Sequence, residues 1–321
     1  MRAVVLMEGG VAPEVLEWPE PMPAEGEVKV RILAAALNHR DVWITQGAYP
    51  GVAPPVVLGS DGVGEVDGAR VLINPALHWG PREDTQGPDF EILGNPRDGT
   101  FAEYTCVPAE NIYGCPDHLT DAEAAALPLA GLTAYRALFT RAAAKTGDRV
   151  LVTGAGGGVS SFAIQFAVAH GCEVYATSSS EEKIAAAVAL GAVGGERYTE
   201  AGWGRRIRER SGGIDVVVDG AGGPGFAEAL RALRPAARVA YYGGTAGGWE
   251  GVTPQATFYK QVTLAGTTMG SPSEFAAMLA LVKRHQLRPV VDSVRPLAEA
   301  ADAFARMAAG EQRGKLVLQV A

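Results

Sequence analysis

Four glycines, Gly154, Gly156, Gly157 and Gly158, stand between a β-branched apolar run at residues 149–153 and apolar residues at helical spacing over 159–169. Strand, glycine turn and helix in that order form a dinucleotide-binding unit. The glycines let the backbone turn sharply and come close to a pyrophosphate. The helix start, from Val159, offers free N–H groups and a partial positive charge to that anion. A tight turn that binds nothing is the plainer alternative. Against it, a second strand at residues 173–177 follows at the distance the unit requires. The third fingerprint glycine is replaced by Ser160, small enough for helix and strand to pack at a slightly wider approach.

The end of that second strand selects the dinucleotide. An NAD site ends it with an acid that accepts from the ribose 2′-hydroxyl. Here it ends in Thr177, Ser178, Ser179 and Ser180. Nothing there repels a 2′-phosphate, Ser178 and Ser179 can donate to it, and Lys183 can approach as a point charge. NADPH is therefore the expected cofactor. The residues 180–183 also read as a simple helix start with a solvated lysine, and Glu181 and Glu182 weaken the electrostatic case. Gly220 and Gly243 follow strand-like runs and belong to the edge at which open α/β sheets bind ligands.

The elements around these residues divide the chain. Residues 1–120 carry short strand-like runs at 3–7, 27–36, 62–66, 70–73 and 102–107, broken by glycine and proline. They read as a β-barrel or sandwich. Thr120 followed by Glu123 forms a capping box, and a further helix is expected at 132–143. From 149 onward strands alternate with helices, at 149–153, 173–177, 215–219, 239–242 and 262–265, with helices at 181–190 and 226–233. That alternation implies a parallel sheet covered on both faces. Helices at 273–285, capped by Ser273, and at 297–309 follow. The strand at 315–320 is expected to return to the N-terminal domain. The fold class is thus α/β, with a nucleotide domain at 121–265 inserted in a discontinuous β-rich domain formed by 1–120 and 266–321.

Bulk properties exclude other classes. The 321 residues are 47% hydrophobic and 20% charged, with a net charge of −8, which argues against a nucleic-acid or membrane-surface binder. No apolar run approaches the roughly 18 residues that span a bilayer. The N-terminus runs straight into a strand without a signal-peptide pattern, so the cytoplasm is the expected compartment. Three scattered cysteines, Cys106, Cys115 and Cys172, include no CxxC and suggest neither a disulfide framework nor a cysteine zinc site.

Three motifs together resemble the medium-chain dehydrogenase/reductase superfamily. They are Asn38-His39-Arg40-Asp41-Val42-Trp43 followed by Gly47, the run from Pro55 to Gly64 that contains Gly59-Ser60-Asp61, and residues 124–135 leading to the glycine turn. The resemblance covers essentially the whole chain and points to the zinc-free quinone oxidoreductase branch. It implies a Rossmann nucleotide-binding domain inserted in a GroES-like β-barrel domain, an active site in the cleft between them, and a homodimer joined through the edge strand at 262–265. Zinc-dependent relatives carry ligands at positions that here hold Asn38, Ser60 with Asp61, and approximately Leu129. Asparagine and leucine are not the ligands a catalytic zinc prefers. The lobe that carries a structural zinc corresponds to residues 77–99, which contain no cysteine. No metal is expected.

Without a metal, the chemistry left is direct hydride transfer from a nicotinamide to an activated acceptor, a quinone or an α,β-unsaturated carbonyl compound. A donor near the acceptor oxygen stabilises the negative charge that develops there. Asn38 could be that donor, or a turn-forming asparagine. The resemblance puts His39 near the cofactor pyrophosphate and Thr133 beside the nicotinamide, where Thr133 could equally serve the helix start. Arg40 replaces the family's proton-relay hydroxyl. It could bind a carboxylate or phosphate, or be solvated and paired with a surface acid. Trp43, Tyr49 and Phe258 read as pocket walls or as ordinary core. The alternatives kept open are a zinc-free alcohol dehydrogenase or enoyl reductase, and a non-catalytic NADPH-binding sensor.

Overall fold

The computed structural model describes residues 1–321. It forms two compact units, one built from Met1–Leu132 with Gly270–Ala321 and the other from Thr133–Met269. The units divide at 132/133 and 269/270, not at the expected 120/121 and 265/266. The reason is local packing. The helix Asp121–Ala126, capped by Thr120 and Glu123 as its sequence requires, lies against the strands Glu27–Ala36 and Asp61–Val66 of the first unit.

In the first unit the strand Glu27–Ala36 is the spine. Asp61–Val66 and Tyr104–Pro108 pair with it antiparallel, and so does the strand Lys315–Gln319. Residues 315–319 therefore join the N-terminal sheet. Alternation along Arg2–Leu6 sends Val4 and Leu6 into the main core while Ala3 and Val5 face a smaller cluster with Val57 and Ala102. A strand buried on both faces has to read as continuous apolar residues, as this one does. The strand Glu14–Glu17, EVLE and largely exposed, is too short to show an alternating apolar pattern in the sequence. Under the turn that carries Ser60 and Asp61, three glycines meet. A Cβ on Gly94 would lie 2.5 Å from the Gly59 carbonyl oxygen, and one on Gly99 only 2.0 Å from it.

The helix Pro272–His285 is capped by Ser271, with Glu274 completing the box, and not by Ser273 as expected. Proline at the first helical position is preorganised there, which moves the start ahead of Ser273. Ser271 and Ser273 both donate to Glu83, at 2.5 and 2.6 Å. Trp79 stands edge-on to Phe90 with ring centres 5.3 Å apart, a favoured aromatic geometry. The 77–99 lobe is thus tied within itself by Trp79 on Phe90 and to the start of the helix Pro272–His285 through Glu83. The helix expected at 132–143 is instead an α-helix over Pro128–Tyr135 that widens into a π turn over Arg136–Arg141.

The second unit is a six-stranded sheet in which every neighbouring pair runs parallel. Its order is Gly194–Arg197, Glu173–Ser178, Arg149–Val152, Ile214–Asp219, Leu233–Tyr241, Thr263–Gly266. Numbered by sequence this is 3-2-1-4-5-6, the doubly wound arrangement in which ligands bind where the order reverses, outside the ends of Arg149–Val152 and Ile214–Asp219. The helix Trp203–Ser211 was not foreseen. Its arginines mask a buried stripe of Trp203, Ile207 and Ser211 at four-residue spacing.

Replacing Gly99 by alanine puts a methyl group into the Gly59 backbone, which cannot yield as a flexible side chain would. The variant is expected to lose more than about 2 kcal/mol of stability in urea denaturation. A loss below about half a kcal/mol would show that the turn does not depend on this close approach.

Candidate active site and nucleotide site

Three strand ends converge in the first unit. Register places Asp61, at the start of its strand, opposite Ala36, and Val317 opposite Ala36 from the other side. Asn38 lies two residues beyond Ala36 and Lys315 two residues before Val317. Lys315 is 2% exposed and Asp61 fully buried. The Lys315 ammonium donates to Asn38 Oδ1 at 2.6 Å and to Asp61 Oδ2 at 2.8 Å. Asn38 Nδ2 donates to the same Asp61 oxygen at 2.9 Å, and Leu129 N–H to the other at 2.7 Å. Of the positions that the resemblance assigns to zinc ligands, Asn38, Asp61 and Leu129 thus come together, with a lysine ammonium on the oxygens of the first two, while Ser60 is taken up by Arg40 and the Leu93 carbonyl. No three His, Cys, Asp or Glu side chains are grouped to hold a metal ion. An amide oxygen and a carboxylate already bound to an ammonium do not fit zinc, which prefers thiolate and imidazole. Lys315 was missed in the sequence. The signal was there: a lone charge opening the otherwise apolar KLVL run.

Asn38 is also the N-cap of the short helix His39–Thr45, its backbone N–H held by Asp41 Oδ2 at 2.8 Å. One N–H of its side-chain amide is committed to Asp61, leaving one for a ligand. Arg40 is 6% exposed, so it is not a solvated surface cation. Its Nη1 donates to Ser60 Oγ at 2.6 Å and to the Leu93 carbonyl at 3.0 Å, while Nε and Nη2 have no partner in the protein. Its guanidinium lies 4.7 Å from the centre of the Tyr49 ring, a cation–π contact. Half-buried Trp43 stands edge-on to His39 at 4.9 Å. Burial holds the His39 imidazole below its ordinary pKa, so the ring is neutral at pH 7. Arg40, Trp43 and Tyr49 therefore gather around one helix. Phe258 does not join them. It lies in the other unit, 62% exposed at the end of the helix Pro254–Phe258. Thr133 is also in that unit, buried on the helix Pro128–Tyr135.

In the second unit the glycine turn has the conformation that its residues permit. Gly154 and Gly156 have φ of 67° and 118°, values that favour glycine. The helix Gly158–Ala169 has Gly157 as its N-cap, with no side-chain cap bond. Its first N–H groups, from Gly158 and Val159, are thus left for an anion. Ser160 Oγ lies 2.8 and 3.0 Å from the carbonyl oxygens of Gly154 and Gly157. The replacement for the third glycine therefore ties the turn together instead of merely fitting. A Cβ on Gly156 would meet Lys183 Cδ at 3.0 Å, so the Lys183 side chain runs along the turn. Ser178 needs correction as a phosphate donor. It is 1% exposed and its hydroxyl donates to the Ala155 carbonyl at 3.0 Å. Ser179 is exposed. Gly220 and Gly243 flank each other, a Cβ on Gly243 meeting the Gly220 carbonyl at 3.0 Å. Asp219, not foreseen as a site residue, latches these ends together. It accepts from Thr153 Oγ1 at 2.6 Å and from the Gly222 N–H at 3.0 Å. These residues fit a dinucleotide. Burial raises the pKa of all three cysteine thiols, so none is a thiolate nucleophile at neutral pH.

Asp41 is fully buried, its Oδ1 has no partner, and burial pushes its pKa from the ordinary 3.8 up to about 6. Below 3.8 it is protonated folded or unfolded and is neutral for stability. Between those values only the unfolded chain releases its proton, so stability falls as pH rises, and the penalty is constant above about 6. Asp41→Asn is expected to gain on the wild type by up to roughly 3 kcal/mol across that window. Denaturation of both proteins at a series of pH values reads the difference. A pH-independent gap would overturn the assignment.

Residues 24–117 match the family described as alcohol dehydrogenase GroES-like domain, and residues 158–284 match that described as zinc-binding dehydrogenase. The chain is 36% identical to a zinc-type alcohol dehydrogenase-like protein YogA of Leptosphaeria maculans, over 94% of this chain and 92% of the relative. A solved structure described as an NAD-dependent alcohol dehydrogenase is 40% identical and superposes with a TM-score of 0.94, covering 100% of both chains. The quinone oxidoreductase of Thermus thermophilus, solved with NADPH, is 31% identical with a TM-score of 0.85, again covering 100% of both chains. With a GroES-like domain and a Rossmann-type sheet in one chain, the protein belongs to the medium-chain dehydrogenase/reductase superfamily, in its quinone oxidoreductase-like branch, and is a nicotinamide-dependent oxidoreductase.

Proposed function

We propose that the protein is a zinc-independent, NADPH-dependent reductase acting on a quinone or an α,β-unsaturated carbonyl compound. The observation that carries this reading is the Lys315 ammonium bonded to Asn38 and Asp61, where a metal would need open donors. When bound, the nicotinamide supplies the hydride. The chain's own residues bind, orient and stabilise. The remaining N–H of Asn38 and the unpartnered Nε and Nη2 of Arg40 are donors for the acceptor oxygen as negative charge grows on it. Buried guanidinium N–H groups without partners are costly, so an oxygen-bearing ligand gains affinity there. Trp43 and Tyr49 offer ring faces suited to planar acceptors. The Gly154–Gly158 turn and the following helix start hold the pyrophosphate.

NADPH is favoured over NADH because no acid closes the strand Glu173–Ser178 and the Lys183 side chain lies along Gly156. With the Ser178 hydroxyl committed, selectivity rests on Ser179 and Lys183. The 40% identity to a structure described as an NAD-dependent alcohol dehydrogenase favours a second reading, an NADH-linked, zinc-free alcohol dehydrogenase. A homodimer fits the edge strand Thr263–Gly266, which carries exposed Leu264 and follows exposed Phe258 and Tyr259 in the chain.

Fluorescence titration with NADPH and NADH, followed by turnover at 340 nm with quinones and alkenals after chelation, tests the proposal. Tighter NADPH binding and chelator-resistant reduction are expected. Lys183→Ala is expected to weaken NADPH about tenfold, the scale of one charge-assisted bond, and to leave NADH unchanged. Preference for NADH with alcohol oxidation would establish the second reading. Loss of activity on chelation would end the zinc-independent one.

A further inference from the structure

Asn38 alone is a weak electrophile. A neutral amide donates less strongly than a metal-bound group or a charged donor. The structure surrounds it with groups that change this. Its oxygen accepts from Lys315 Nζ at 2.6 Å, in a site where that lysine is 2% exposed. Its nitrogen gives one proton to Asp61, whose charge the same ammonium offsets at 2.8 Å. Leu129 N–H and Lys315 fix both carboxylate oxygens of Asp61. The amide is planar, so holding its oxygen and one N–H fixes the direction of the other N–H. Hydrogen bonds in such a chain polarise one another, more so at low local dielectric.

We propose that Lys315 is a positioning residue for hydride acceptance. Through its bond to Asn38 Oδ1 it orients the amide and draws electron density from it, so that the free Asn38 N–H binds the developing oxyanion strongly. The ammonium is the fixed cation of this site, acting through an amide instead of touching the substrate. This rests on the reading of Asn38 as the oxyanion donor. It adds that the donor's strength is set by a residue 277 positions away in the chain. Arg40 does not replace it, because Arg40 bonds Ser60 and Leu93 and no atom of Asn38.

Two measurements on the intact protein test it. The first needs no turnover. The chain holds four asparagines, Asn38, Asn74, Asn95 and Asn111, so selective ¹⁵N-asparagine labelling gives a small set of side-chain amide resonances, with Asn38 assigned by its loss in Asn38→Ala. Lys315→Met is expected to move the Asn38 amide protons upfield and leave the other three in place, and Lys315→Arg to restore much of the shift. Because Lys315→Met leaves Asp61 buried and unpaired, the charge-balanced double variant Asp61→Asn/Lys315→Met is recorded beside it as a folded control. The double variant reports only that the fold survives, since it also alters the acceptor of Asn38 Nδ2, and an unchanged Asn38 amide in Lys315→Met overturns the proposal.

The second is kinetic, with a graded series of quinones. Lys315→Met is expected to lower kcat by about 10- to 100-fold, most for the least electron-deficient acceptors, with NADPH affinity unchanged. Adding Asn38→Ala to Lys315→Met is expected to cost less than about twofold more, because both act through one donor. Losses that multiply, or a uniform loss that follows the thermal midpoint, assign Lys315 a structural role only and overturn the proposal. Should the wild type reduce neither quinones nor enones, the functional reading fails, while the amide resonances still decide for or against Lys315.

Discussion

One buried ion pair organises the first unit. Bringing Lys315 and Asp61 out of water is costly, and the pair persists only because every strong group in it has a partner. Asp61 takes bonds from Lys315, Asn38 and the Leu129 backbone. These four residues come from four places in the chain, and the pair can close only if three strands meet in one register. A slip of one residue would turn each of the strand side chains to the opposite face of the sheet. The pair is thus a strict check on the sheet that carries the site, even where its net contribution to stability is small.

The same pair explains how a chain can match a family described as zinc-binding without offering a zinc site. The strands deliver Asn38, Asp61 and Lys315 to one place, and the cation there is covalently part of the chain, held by oxygens suited to an ammonium. In the 77–99 lobe, likewise, Glu83 on Ser271 and Ser273, together with Trp79 on Phe90, hold the chain without thiols. Fold and family therefore follow from backbone pattern, whereas metal dependence follows from a few side chains and has to be judged on them.

Features carried by local pattern were legible in the sequence. The glycine turn, the Thr120–Glu123 capping box and the strand Glu27–Ala36 depend on residues within a few positions of one another. What could not be read depends on distance or on commitment. Lys315 drew no role of its own in the sequence because its partners lie 254 and 277 residues away. Ser178 looked like a free donor because its acceptor, the Ala155 carbonyl, appears only once the glycine turn has folded back. Phe258 looked like a wall because aromatic type says nothing of the side on which a five-residue helix is exposed. The helix His39–Thr45 was hidden by its length, too short for an apolar period to show.

The discontinuous layout has a consequence for the protein as it is made. Residues 133–269 are contiguous and can close while translation is still under way, since domains fold as units during synthesis. Residues 1–132 cannot finish by then. The strand Glu27–Ala36 keeps an open edge until Lys315–Gln319 leaves the ribosome and pairs with it. Until that moment Asn38 and Asp61 are ordinary hydrated side chains. A nascent chain can thus acquire its nucleotide fold before the Asn38–Asp61–Lys315 cluster exists, and the strand of this sheet that emerges latest is the one that assembles it.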